Sequence, residues 1–428
     1  MLQSSLAARN VRMVKVAAPV PPPRFAEYIY FALVAYAILG PALGVSIPLL
    51  GAGGMAALAM YCILRLKKSG ISIYKYIALP LGCAVSFLAI QVVIHDVSFM
   101  NQSNRQFVTW ILALIIVQSL SLRRGFLHRF ALAALVIGAC LLPFLTLDWH
   151  DAGAERAGLE QGVGFANPND LASWFGFCTV FFTVLVIESK RNIVRVASLP
   201  VVAGCLLLVG LTVSRGALMA LAIAIIVASR RLLKRGFFPV LFLAILTSLL
   251  LLSGLFDRSI ELYTERGTEE TGRLLVWPLV IERILASPLS GVGADAIGTY
   301  VPGGDHPITP HNSFLAVGLA SGIVPLAFFT AYWIKAMRGA YRQSRGGLQD
   351  APFQLPLIIY TFIIVFLSAG AFMFPWAIVA LCNAMPRPGS RVIAVRVPQG
   401  EPVEPPRGRI KVSPREQTLK PIVGSVKS

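Results

Sequence analysis

Eleven long apolar runs, separated by short breaks, constrain this chain more than any single motif. They lie at about 26–40, 43–64, 74–94, 107–122, 127–147, 170–187, 194–213, 216–233, 237–256, 313–334 and 353–382. A helix needs roughly 20 mostly apolar residues to cross the hydrocarbon of a bilayer. Ten of the runs suit single helices. The last, about 30 residues long, exceeds one span, and its centre reads Ser368-Ala369-Gly370-Ala371 with Pro375 beyond. It reads as two short helices in a tight hairpin, with one tilted helix as the rival. Only 14% of the residues are charged and 56% are hydrophobic, whereas a soluble domain carries about 25% charged residues. A soluble fold is excluded. The expected fold class is an all-α polytopic membrane protein with about 12 transmembrane helices.

The net charge of +18 is resolved by position. If each run crosses once from a cytoplasmic N-terminus, the cytoplasmic side holds 31 Lys and Arg and the opposite side 7. That asymmetry follows the positive-inside rule. It requires an even number of spans, which favours the terminal hairpin and places both chain ends in the cytoplasm. The basic balance is then a topology signal, and no nucleic-acid partner is needed to explain it.

The expected organisation follows. Residues 1–24 form a basic, Pro-rich cytoplasmic tail, and 25–256 hold spans one to nine. Residues 257–312 form one long periplasmic loop, 313–385 hold spans ten to twelve, and 386–428 read as a disordered basic tail. No cleavable signal peptide fits the start, because Pro19 to Pro23 interrupt any apolar core there. The six cysteines sit in or beside apolar runs without close pairing, so a disulfide framework or zinc site is not expected. Two outer segments stand out by length, Asp148 to about Asn169 and Asp257 to His311. Within the second, RLLVWPLVIERILASP places Leu274, Trp277, Ile281, Ile284 and Leu285 at roughly helical spacing. This predicts an amphipathic helix on the outer membrane surface, beginning or kinking near Pro278.

Several residues could carry chemistry. Arg215 lies in a very short break between two apolar runs, where an ionisable side chain is costly and points to function; an arginine snorkelling to lipid phosphate is the bland alternative. Arg273 and Arg283 belong to the amphipathic segment, and arginine binds phosphate bidentately. Contact with lipid headgroups or pairing with Glu282 or Glu270 would also account for them. His311, in Thr309-Pro310-His311-Asn312-Ser313, stands where the chain re-enters the membrane and could act as a base or hold a hydroxyl, with His306 nearby. His95, His128 and His150 read as ordinary loop residues. Asn169 and Asp170 open the sixth span, where either could simply cap the helix. There is no P-loop, no Asp-x-Asp pair and no His/Cys array, so neither metal nor cofactor is expected.

These elements together resemble the O-antigen ligase/polymerase superfamily of bacterial envelope glycosyltransferases, which includes exopolysaccharide polymerases and protein O-oligosaccharyltransferases. The most specific element is His311-Asn312, nine residues, then Gly322 (HNSFLAVGLASGIVP). The ligase pattern then has Gly, Thr or Tyr where this chain has Pro325, a departure. Ser214-Arg215-Gly216, Gly272-Arg273 with Trp277, Pro288 and Gly291-Val292-Gly293, and Asn167-Pro168-Asn169 resemble three further family elements, in the family's order. The resemblance implies a GT-C-like fold in the bacterial inner membrane. It implies transfer of a polyprenyl-diphosphate-linked glycan to an acceptor hydroxyl on a glycan, lipid A-core or protein, at the periplasmic face. On this basis Arg215 and Arg273 hold the diphosphate and His311 orients or deprotonates the acceptor. Asn169, Asn312, Arg283 and Trp277 are expected to contact substrate. A polymerase of the same superfamily is the alternative. A non-enzymatic transporter or flippase is a third reading, against which stands the scarcity of acids within the apolar runs.

Overall fold

A computed structural model describes residues 11–15, 22–41, 43–45, 47–68, 74–99, 101–151, 154–159, 168–230, 273–300, 307–344, 350–367, 373–383 and 392–396, so the turn expected at Ser368-Ala369-Gly370-Ala371 lies outside the described residues. They divide into two compact units. The smaller draws on the two chain ends, Met1–Ala17 and Gly389–Ser428. There β1 (Val11–Lys15) pairs antiparallel with β4 (Val392–Arg396). β4 lies in the segment that the sequence reads as a disordered tail, and its Val392, Ile393 and Val395 favour extended backbone. The remainder of that tail lies outside the described residues.

The larger unit, Ala18–Pro388, is mainly helical. In chain order it contains α1 (Arg24–Leu39), α2 (Pro48–Lys68), α3 (Tyr74–Ala89, continued by a π-helical turn Ile90–Ile94), α4 (Gln102–Leu120) and α5 (Phe126–Leu141). After strands β2 (Leu145–Asp151) and β3 (Ala154–Leu159) come α6 (Pro168–Glu188), α7 (Asn192–Leu211), α8 (Arg215–Ser229) and α9 (Arg273–Ala286). The last four are α10 (Ser313–Ser321), α11 (Ile323–Ser344), α12 (Ala351–Leu367) and α13 (Met373–Cys382). Among the described residues, 5 helical segments are long and apolar enough to cross a membrane: Leu50–Lys67, Ile77–Ile94, Phe126–Phe144, Pro168–Glu188 and Asn192–Leu211. The apolar run at 237–256 lies outside the described residues, as do residues 257–272 of the long loop.

Three expectations change. The unit is not purely α-helical, because β2 and β3 form an antiparallel hairpin in the first long outer segment. Pro143 ends α-helical geometry after Leu141, since proline lacks the N–H that would continue the ladder. The run at 313–334 is not one helix: it breaks at Gly322, whose φ of 78° ends α10. The buried stripe of α9 is Val276 and Val280, packed with Leu319 and flanked by Ile284. Its Leu275, Ile281 and Leu285 remain exposed, so one face of this helix packs on protein. At the last run, the two helices lie antiparallel, with Cys382 near the end of α13 approaching the Gln354 carbonyl near the start of α12.

The core centres on α6. It is apolar around its whole circumference, as a helix surrounded by others must be, and 83% of its span is buried. α5, α7, α8 and α12 pack around it. Small residues set the close approaches. Gly138 leaves room for Trp174, whose indole N–H donates to the Ala134 carbonyl at 2.9 Å. Gly176 leaves room for the Tyr360 hydroxyl, which donates to the Ser173 carbonyl. The two ends of the bundle differ in chemistry. Beyond the C-terminal end of α4, buried Glu27 accepts a two-pronged contact from Arg129 and lies 3.1 Å from Arg123. At the N-terminal end of α4, Asn101 and Ser103 donate to Asp295 of the long outer segment.

Candidate functional site

Near that second end, the N-termini of α6, α8 and α10 gather around the C-terminal end of α12. Ser214 occupies the N-cap position of α8, but its hydroxyl donates to the Asn169 side-chain oxygen of α6 at 2.8 Å instead of capping α8. The first-turn N–H groups of α8 therefore lack a side-chain cap, and such groups carry the positive end of the helix dipole. Arg215, half-buried, is the first residue of the helix. Its positive charge and the helix terminus add to each other. Val213, two residues earlier, holds φ at 52°, an outlier for a β-branched residue.

A chain of contacts leads from Arg215 to His311. Gly216 packs on Leu367 at the end of α12. The neighbouring Phe366 meets the Trp277 ring edge-on, centroids 5.5 Å apart. The Trp277 indole N–H donates to the Pro310 carbonyl at 2.8 Å, fixing the residue before His311. His311 itself has φ of 46°. Non-glycine residues held there cost of order 1–3 kcal/mol and cluster at functional sites. Next, the Asn312 side-chain oxygen accepts from the backbone N–H of Phe314 and Leu315 and caps α10. This buried asparagine thus serves the helix terminus that carries His311.

The other expected residues are placed as follows. Arg273 opens α9, one turn before Trp277; its side chain lies outside the described residues, as do Asn167, Gly272 and His306. Arg283 spends its guanidinium on protein. It donates to the Gly298 carbonyl at 2.8 Å, the Thr299 hydroxyl at 2.9 Å and the Ala296 carbonyl at 3.0 Å. It lines an open cleft of about 550 Å³ with Glu282, Asp295, Thr299 and Tyr300. The structure brings Asn169, Arg215, Trp277, His311 and Asn312 into one connected neighbourhood. Arg283 instead braces the loop that follows α9.

Sequence reasoning missed two residues beside this neighbourhood. Gln91, fully buried in the π-helical turn, and His95, which meets the Ser290 carbonyl at 2.9 Å, both hold the long outer segment. A lone amide inside the 74–94 apolar run was the available signal for Gln91.

Comparison of the chain with curated protein sequences gives no match. Residues 200–330 match the family described as O-antigen ligase. That stretch contains Arg215, Arg273, Trp277, Arg283, His311, Asn312 and Gly322, while Asn169 precedes it. Over residues 200–330 the chain is thus similar to the O-antigen ligase family, and among the described residues it has 5 helical segments long and apolar enough to cross a membrane.

Proposed function

We propose that the protein transfers a glycan from a polyprenyl diphosphate to an acceptor hydroxyl at the periplasmic face of the bacterial inner membrane, as an O-antigen ligase-like glycosyltransferase. The observation that carries this reading is the connected set from Arg215 to His311, both within the matched residues 200–330 and linked through Leu367 and Phe366 beyond them. In the reaction, the bond between the anomeric carbon and the diphosphate oxygen breaks, and a bond to the acceptor oxygen forms. The electron pair leaves with the diphosphate. Arg215, the uncapped N-terminus of α8 and Arg273 would meet the growing negative charge. Fixed donors aimed at developing charge are worth about 10²–10³ in kcat each. His311 would take or orient the acceptor proton, a role worth about 10²–10⁴. The activated donor supplies the driving force, so no nucleotide is required.

Pro325 favours keeping a second reading, a polymerase that joins repeat units to one another. It stands where the ligase pattern has Gly, Thr or Tyr. The structure accommodates it in the first turn of α11, where a missing N–H is harmless.

The test is reconstitution in liposomes with polyprenyl-diphosphate glycan and an acceptor. A new glycosidic product is expected, with about a hundredfold loss or more in Arg215→Ala and His311→Ala. Full transfer by either variant removes that residue from the mechanism. Glycan crossing the bilayer without product would favour a transporter. Loss of the gene distinguishes the two enzymes: long unattached chains mark a ligase, single attached repeats a polymerase.

A further inference from the structure

The nine residues between Asn312 and Gly322 are α10, a short helix with His311 just ahead of its N-terminus. A helix this short, about 14 Å long, needs both ends held if His311 is to keep one position. The N-terminal end is held by Trp277 through Pro310 and by the Asn312 cap. The C-terminal end is held by the segment Pro288–Ala294 of the outer loop and by Gln91.

Helix ends leave backbone groups without partners, and here the outer loop supplies them. Val292 N–H donates to the Leu319 carbonyl at 2.7 Å, and Gly293 N–H to the Ala320 carbonyl at 3.1 Å. Across the break, Ile323 N–H, the first of α11, donates to the Pro288 carbonyl at 2.8 Å. The approach is so close that a Cβ on Gly322 would lie 2.6 Å from the Leu289 carbonyl. A Cβ on Gly291 would meet the Leu319 carbonyl.

Gln91 joins the loop to the short helix. Its amide N–H donates to the Ala320 carbonyl at 2.8 Å, and its amide oxygen accepts from Ala294 N–H at 2.8 Å. It is 0% exposed. Inside the bundle a bridge of this kind acts with little competition from water. It arises from a π-helical turn, a rare feature that is frequent at functional sites. His95, four residues on, holds the Ser290 carbonyl of the same loop.

We propose that Gln91 is a positioning residue for His311: by bridging Ala320 and Ala294 it locks the far end of α10 and so fixes His311 against the acceptor. This rests on the reading of His311 given above. A displacement of about 1 Å in a reacting group can cost about 10²-fold in rate, so the bridge bears on turnover without touching substrate.

The experiment uses the full-length protein in liposomes, with turnover normalised to folded enzyme by gel filtration. Gln91→Met fills the space but forms neither hydrogen bond. Its kcat is expected to fall about 10- to 100-fold, with the donor KM unchanged. In Gln91→Glu, the protonated carboxyl can donate and accept as the amide does. The kcat of Gln91→Glu relative to wild type should therefore recover as pH falls, while Gln91→Met stays low. If Gln91→Met fails to fold, Gln91→Asn, one methylene too short to bridge both groups, carries the same test. Wild-type kcat per folded enzyme, a change confined to KM, or the absence of pH-dependent rescue would overturn the proposal. His311→Ala separates the two levels. Full transfer there overturns the functional reading and this inference with it. Loss there, with wild-type turnover in Gln91→Met, overturns the positioning role alone.

Discussion

At Arg215 charge and backbone act in the same direction. The guanidinium sits on the first residue of α8, and Ser214 turns its hydroxyl to Asn169 instead of closing that helix end. The sequence makes Arg215 and His311 legible because ionisable residues at the edge of apolar runs are rare and costly. It does not reveal that the donors of Trp277 and Arg283, both expected to contact substrate, are committed to neighbouring protein oxygens. Such commitments depend on which carbonyl lies opposite, and Pro310 is 33 residues from Trp277. A prediction follows at this scale. Trp277→Phe keeps an aromatic ring against Phe366 but removes the donor to the buried Pro310 carbonyl, at a cost of about 1–3 kcal/mol. Turnover per folded enzyme should fall severalfold in the liposome assay. Unchanged turnover would show that the indole N–H does not steady His311.

Among the elements, α10 is where motif and structure meet. The nine-residue spacer in the sequence pattern is a nine-residue helix, and the glycine that closes the pattern is the point where the helix must stop. Periodicity alone predicted one continuous helix through 313–334, because the apolar pattern does not pause at Gly322. The stop is imposed from outside, by the Pro288–Gly293 backbone occupying the space beside it. Gly322→Ala would place a Cβ on a backbone with φ of 78° and 2.6 Å from the Leu289 carbonyl. Strain of this kind costs of order 1–3 kcal/mol. The midpoint of thermal unfolding in detergent should drop by several degrees and transfer should fall with it. A variant with wild-type midpoint and turnover would mean that the clamp is absent from the working enzyme.

For the whole molecule, the contacts separate into two ends. Glu27 with Arg123 and Arg129 lies toward one end of α4, and Asn101 with Asp295 at the other. The Lys/Arg asymmetry of the sequence assigns the first group to the cytoplasmic side and the second to the outer side. The orientation itself is open to a direct measurement in a cysteine-free background. Tyr300→Cys, at a position 66% exposed, should react with a membrane-impermeant maleimide added outside. Lys190→Cys, in the exposed turn between α6 and α7, should react only after permeabilisation, and the reverse pattern would invert the topology. By itself the sequence determined the membrane class, the distribution of charge, the family resemblance and the two ionisable residues on which the proposed chemistry rests. These follow from composition and local pattern, because bilayer energetics penalise polar groups wherever they occur along the chain. The tertiary structure alone decided the break at Gly322, the bracing role of Arg283 and the Gln91 bridge. Each depends on a loop meeting a distant helix, with Gln91 229 residues from Ala320 and 203 from Ala294, and no local pattern encodes which backbone groups such a meeting leaves to be paired.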